Sequence, residues 1–167
     1  QNTRLEGTDR MKHFFRPNPV YVNPQFVQLT PFVKSLPDIF DKEGETIYQG
    51  RNVLKRFRIE GITVIVKSYK VPILINRIAY RFFRWAKAIR SYRYAAMLTE
   101  IGVGSPAPVA YHVEYSPLHM GRSYFVSLES ECPYTYREIG KFQGNKTELL
   151  RSIAQTTAKL HDNGILH

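Results

Sequence analysis

The sequence predicts an α+β fold in which a small antiparallel sheet combines with helices. Three strand-like segments follow one another closely, a long helix-like segment comes next, and two further strand-like segments precede a last helix. Consecutive short strands pair as hairpins, and an intervening helix buries its apolar face on the sheet that they form. We therefore expect an antiparallel sheet of about five strands plus one long helix.

Composition narrows the class of protein. Of the 167 residues, 43% are hydrophobic and 13% aromatic, which excludes disordered, collagen-like and linker proteins. The single cysteine, Cys132, excludes an internal disulfide and a Cys-rich zinc site, and it suits a reducing cytoplasm. A formal net charge of +10 favours anionic partners, namely nucleic acid, an acidic membrane surface or phosphorylated sugars.

The first forty residues predict little regular structure. Residues 1–19 are polar and are predicted to form an arm or an expression tag. Val20–Val22 is a candidate short strand. Apolar residues between Phe26 and Phe40 have helix-like spacing. Because Pro31 and Pro37 interrupt that spacing, we expect short helical turns there.

A cluster of strands comes next, after a turn at Asp41–Gly44. Glu60-Gly61 is a two-residue hairpin signal, and the β-branched run that follows it suits a buried strand. The three predicted strands are Thr46–Gln49, Val53–Ile59 and Ile62–Tyr69.

The remaining elements alternate between helix and strand. The segment Leu74–Ile101 has helical periodicity and ends at Gly102. Two strands follow, at Val109–Tyr115 and Ser123–Leu128. Residues 20–128 are thus predicted to form one lobe.

A last helix is predicted to open a second, mostly helical lobe at residues 129–167. Asn145 and Glu148 form a pair like a capping box, and Gly164 ends the helix. Because Ile165-Leu166-His167 follows the helix end, we expect the chain to stop inside this lobe. The predicted buried stripe of the helix comprises Leu149, Leu150, Ile153, Thr157 and Leu160.

Lys67 is the first candidate for chemistry, because it lies at the end of the most apolar strand. A buried cation without a partner costs several kcal/mol. Its ammonium therefore either reaches solvent or meets an anion. A glycine-containing turn precedes it by about two strands and a long helix follows, an arrangement that resembles the phosphate-covering loop, lysine strand and helix of protein-kinase-like enzymes.

Longer segments make that resemblance more specific. The chain from Tyr21 to His167 resembles the bacterial lipopolysaccharide core kinases that phosphorylate Kdo or heptose, in the form associated with Bacteroidetes. The segments that carry the resemblance, in chain order, are "IYQGRNVLKRF", "VIVKSYK", "INRIAYRFFRWAKAIRSYRYA", "EIGVGSPAPVAY", "SYFVS" and "LHDNGILH".

The resemblance implies roles at matching positions. Lys67 would contact the α- and β-phosphates of ATP, and Leu128 and Glu129 would lie at the hinge that faces adenine. His167 would be the histidine of an H-x-D motif, so the catalytic aspartate and the Mg²⁺ ligands would lie beyond the chain, which alone is expected to be inactive. The turn over the phosphates would comprise Gly50, Arg51 and Asn52.

One departure from the family pattern concerns the helix glutamate that normally pairs with the strand lysine. No acidic residue occurs between Glu60 and Glu100. A uniform winding from Ile75 predicts Arg93 on the inward face and Ser91 on the opposite one. Either a different anion neutralises Lys67, or the kinase is weak or regulatory, or the helix bends and turns Arg93 to solvent.

The same helix carries basic residues on the face away from its apolar stripe. They are either a solvated face or a surface that docks on lipid phosphates or the phosphorylated sugar core at the cytoplasmic face of the inner membrane. Each would contribute about 1 kcal/mol near anionic lipid. These residues are Arg77, Arg81, Arg84 and Lys87.

Three function classes remain. The first is an ATP-dependent kinase of the lipopolysaccharide core or a lipid A precursor. The second is a non-catalytic kinase-like module that binds nucleotide weakly or acts as a scaffold at the membrane. The third, a nucleic-acid-binding domain, is supported by charge alone, so we expect no nucleic-acid partner. The five histidines lack metal-ligand spacing, so no metal site is predicted within this chain.

Overall fold

A six-stranded antiparallel sheet organises the chain in the computed structural model, which describes residues 18–70, 85–115, 120–130, 140 and 142–165. The order of strands across the sheet is β1-β5-β6-β4-β3-β2. The strands are β1 (Val20–Val22), β2 (Glu45–Gln49), β3 (Asn52–Ile59), β4 (Ile62–Tyr69), β5 (Pro108–Tyr115) and β6 (Met120–Leu128). The helices are α1 (Thr30–Ile39), α2 (Lys87–Glu100) and α3 (Lys146–Asp162), and a 3₁₀ helix at Pro24–Leu29 precedes α1.

The predicted α+β class and its strands are confirmed, with one strand more than the five expected. The sixth is β1, which pairs with the outer side of β5. The predicted hairpin between β3 and β4 is also confirmed. Glu60 and Gly61 have φ values of 51° and 79°, the two positive angles of a type I′ turn. The predicted arm falls mostly outside the described residues.

One face of the sheet packs against α1. The apolar core on this side is continuous from the helix to the central strands. Its fully buried members include Leu29, Val33, Leu36, Val64, Val66, Val109, Tyr124 and Val126.

Pro37 lies inside α1 and does not interrupt it, contrary to the predicted short helical turns. A proline has no N–H, so the carbonyl of Val33, four residues earlier, loses its helical donor. His112 Nδ1 lies 2.8 Å from that carbonyl oxygen and donates to it. A side chain from β5 thereby satisfies the backbone group that the proline leaves unpaired.

The other face packs against α2. Ala88, Ile89 and Tyr92 of the helix contact Tyr69, Tyr111 and Val113 of the sheet. The helix starts at Lys87, after an extended Ala86 (ψ 147°). Residues 74–84 of the predicted helix lie outside the described residues. At its other end, Gly102 and Val103 donate to the carbonyls of Thr99 and Leu98, as predicted for a glycine stop.

The last helix, α3, has the predicted ends but not the predicted burial. Asn145 Oδ1 accepts from the backbone N–H of Glu148, and Ile165 N–H donates to Leu160. The prediction of a buried stripe is wrong, because its residues are half-buried at most and Leu150 is 57% exposed. Membership of a second lobe stays a prediction.

Candidate functional site

Lys67 lies in the middle of a row of paired residues that crosses the sheet on its α2 face. Leu54 of β3 is its partner on one side and Phe125 of β6 on the other. The row continues to Tyr48 of β2 and Tyr111 of β5. Because α2 covers the part of this face around Tyr111, the Lys67 side chain is left half-buried beside the helix.

The ammonium of Lys67 has an aromatic neighbour and no anionic one among the described residues. Its Nζ lies 5.2 Å from the centroid of the Tyr69 ring, which is a cation–π contact. The ion pairs in the described part of the chain involve Arg56 and Arg122 instead. Because no carboxylate of the described residues pairs with this half-buried cation, Lys67 leaves a place for an anionic ligand.

The turn between β2 and β3 lies at the end of the sheet where Tyr69 lies. Gly50 N–H donates to the carbonyl of Asn52 at 3.0 Å, and Asn52 pairs with Tyr69 in the neighbouring strand β4. The phenol of Tyr48 covers Gly50, since a Cβ added to this glycine would lie 2.6 Å from the phenol oxygen. Lys67 and the turn thus lie toward the same end of the sheet.

Leu128 and Glu129 lie where β6 ends, beside β4. The N–H of Glu129 donates to the carbonyl of Thr63 at 3.2 Å, and that of Leu128 to Ala107 at 2.9 Å. These bonds fix the backbone at the predicted hinge. Whether the two residues face a nucleotide base stays a prediction.

Sequence reasoning missed Arg56, which joins Glu129 at the end of β6 to Glu45 in the edge strand β2. Its Nε donates to Glu129 Oε1 at 2.7 Å and its Nη1 to Glu45 Oε2 at 2.8 Å. The hydrogen bond to Glu45, followed by that to Glu129, raises the pKa of the Arg56 guanidinium. No sequence signal could have found this cluster, because Arg56 and Glu129 are 73 residues apart.

The inward face of α2 differs from the prediction. Arg93 is exposed, and its guanidinium carbon lies 4.0 Å from the centroid of the Trp85 ring. Ser91 faces the sheet, where its Oγ lies 2.6 Å from Tyr69 Oη. The prediction for both residues is wrong because α2 begins only after Ala86, so its phase does not follow from a winding that starts at Ile75. Arg93 is exposed, as one alternative expected, but the helix starts after an extended Ala86 and shows no bend near Arg90.

Of the predicted basic docking surface, only Lys87 belongs to the described residues, and it is half-buried at the start of α2. Arg77, Arg81 and Arg84 lie outside them, as does His167. Within the described ranges, no helix is long and apolar enough to cross a bilayer. In the same ranges, no three His, Cys, Asp or Glu side chains are grouped so that they could hold a metal ion.

Comparison with known proteins returns one solved structure and no family. No protein-family model matches the chain, and no curated protein sequence matches it. The chain is similar to a structure described as WaaP in complex with acyl carrier protein, with a TM-score of 0.46 and 18% sequence identity. The alignment covers 72% of this chain and 44% of that one, so the chain spans less than half the length of that structure.

Proposed function

We propose that this chain is the nucleotide-binding part of a kinase that transfers the γ-phosphoryl group of ATP to a sugar hydroxyl of the lipopolysaccharide inner core, on Kdo or heptose. The sequence resemblance suggests the reaction and the acceptor. One structural observation supports a nucleotide site: the half-buried Lys67 has no carboxylate partner among the described residues, and the glycine turn lies toward the same end of the sheet.

The surroundings of Lys67 suit a polyphosphate. The ammonium of Lys67 contacts the ring of Tyr69. This contact attracts the ammonium but does not neutralise its positive charge. Backbone N–H groups of a turn suit phosphate oxygens, because they bring positive partial charge without bulk, although the N–H of Gly50 already donates to Asn52. In this proposal Lys67 binds the α- and β-phosphates, and Gly50, Arg51 and Asn52 cover them.

In phosphoryl transfer the protein mainly aligns the reacting groups and supplies positive charge. The residues of this chain would bind the nucleotide and position its phosphates. The catalytic base and the Mg²⁺ ligands are expected after His167. The described residues include no group of side chains suited to a metal ion.

The acceptor suggests a place of action at the cytoplasmic face of the inner membrane. In this part of the proposal, Arg77, Arg81, Arg84 and Lys87 bind lipid phosphates or the phosphorylated core. Salt would weaken such binding, because exposed charges are screened within about 10 Å at 0.1 M ionic strength.

The test is phosphorylation of a Kdo-lipid acceptor by the full-length protein. We expect Lys67→Ala to abolish ATP-dependent transfer without unfolding the protein. The exposed Lys70, three residues along the chain, provides the matched control, and Lys70→Ala should retain activity. Wild-type transfer by Lys67→Ala would contradict the proposal.

A non-catalytic kinase-like module is the second candidate, and one observation favours it. The strand that carries Lys67 is joined to α2 by the neutral Tyr69–Ser91 contact rather than by an ion pair. A module of this kind would bind ATP and show no phosphoryl transfer in the assay above.

A further inference from the structure

Arg56 of β3 lies on the same face of the sheet as Lys67 of the neighbouring strand β4. Its neighbours in β3 point to the other face, where Lys55 Nζ donates to the carbonyl of Glu43 and Phe57 packs against Phe32. Alternation therefore directs Arg56 to the α2 face. It pairs with Ile65, two residues along β4 from Lys67, a displacement of about 7 Å along the strand.

Two carboxylates hold the plane of the Arg56 guanidinium. Glu129 Oε1 accepts from Nε at 2.7 Å and pairs with Nη2 at 2.5 Å, and Glu45 accepts from Nη1 at 2.8 Å. The side chain remains 30% exposed. Because the edges of the guanidinium are engaged on both sides, its flat face is the surface left for a ligand.

The charge of this cluster selects the kind of ligand. Arg56 carries one positive charge, and the carboxylates of Glu45 and Glu129 carry one negative charge each. These three side chains therefore have a net charge of −1 and do not attract a second phosphate. A neutral, flat, aromatic group is the ligand that a fixed guanidinium plane binds best.

We propose that the base of the bound nucleotide stacks on the guanidinium face of Arg56 while Lys67 binds the phosphates. This inference depends on the proposed nucleotide site. The ribose separates the base of a nucleotide from its α-phosphate by a distance comparable to the displacement between the two residues. Glu45 and Glu129 are positioning residues, which keep the guanidinium flat against the base.

The test compares the affinities of ATP and inorganic tripolyphosphate for the full chain by isothermal titration calorimetry. Tripolyphosphate offers phosphates and no base. We expect Arg56→Lys, which retains the charge and loses the plane, to weaken ATP binding about 3- to 30-fold and to leave tripolyphosphate binding unchanged. Arg58→Lys is the matched control, since Arg58 is an exposed arginine on the same face of the same strand, and it should alter neither affinity.

Each other result has a definite meaning. Unchanged ATP binding by Arg56→Lys would overturn the stacking role and leave the phosphate role of Lys67 intact. Loss of both ligands would also overturn it, because Arg56 would then act on the phosphates or on the fold. If the wild-type chain bound neither ligand, the proposed nucleotide site itself would be wrong.

Discussion

The hydroxyl groups of Tyr69 and Ser91 lie 2.6 Å apart and join strand β4 to helix α2. Tyr69 is also the residue whose ring contacts the ammonium of Lys67. A neutral hydrogen bond thus links the strand to the helix. Among the described residues, no carboxylate pairs with the Lys67 ammonium.

The first prediction concerns the strength of that link. Tyr69→Phe and Ser91→Ala should each lower the free energy of unfolding by about 1 kcal/mol, because each leaves one hydroxyl without its partner. In a double-mutant cycle measured by urea unfolding, the two changes should be coupled by about 0.5–1.5 kcal/mol.

Tyr94→Phe is the control for this cycle, since Tyr94 lies in the same helix and is 56% exposed. We expect it to change stability little and to show no coupling to Ser91→Ala. Strictly additive effects of Tyr69→Phe and Ser91→Ala would show that the contact does not join the two elements.

The second prediction tests how α1 accommodates Pro37. His112→Leu should cost about 1–3 kcal/mol of unfolding free energy, because it leaves the buried carbonyl of Val33 without a donor. Pro37→Ala restores an N–H four residues after Val33. The cost of His112→Leu should therefore shrink in the Pro37→Ala background, as measured by urea unfolding. An equal cost in both backgrounds would rule out this compensation.

The third prediction concerns alkaline pH. Burial, aided by the hydrogen bond to Glu114, raises the pKa of the Tyr124 phenol. Above about pH 10 the unfolded chain releases this proton while the folded protein retains it, so stability falls as the pH rises, by up to about 1.4 kcal/mol per pH unit. Below that pH the contribution of Tyr124 is fully present.

Stability measured by urea unfolding between about pH 9 and pH 12 tests this effect. Tyr124→Phe should reduce the downward slope by up to about 1.4 kcal/mol per pH unit above about pH 10. Tyr48→Phe, which removes an exposed phenol, is the matched control. An unaltered slope in Tyr124→Phe would assign the alkaline loss to other groups.

Local signals explain which parts of the fold could be predicted. Glu60-Gly61 defines its hairpin within two residues, and Asn145 and Gly102 act on helix ends a few residues away. The continuity of α1 through Pro37 could not be predicted in this way. It depends on His112, 79 residues from the carbonyl it satisfies.

In the candidate site too, features set by local sequence could be predicted, whereas features set by contacts between distant segments could not. Lys67 could be found from a cation at the end of an apolar strand. The inward face of α2 could not, because the helix begins at Lys87 and the phase of Ser91 and Arg93 is set by packing on the sheet. The Arg56 cluster depends on strand pairing between distant segments, which leaves no periodic pattern.

The most direct test of the account is the affinity of the chain for ATP when the Lys67 charge is removed. Isothermal titration calorimetry would compare the wild type with Lys67→Met and with Lys70→Met, which removes an exposed charge three residues away. We predict that Lys67→Met binds ATP about 10- to 100-fold more weakly, because a charged hydrogen-bonding partner of the phosphates is lost, and that Lys70→Met binds like the wild type. Equal ATP affinity in the wild type and Lys67→Met would contradict the account.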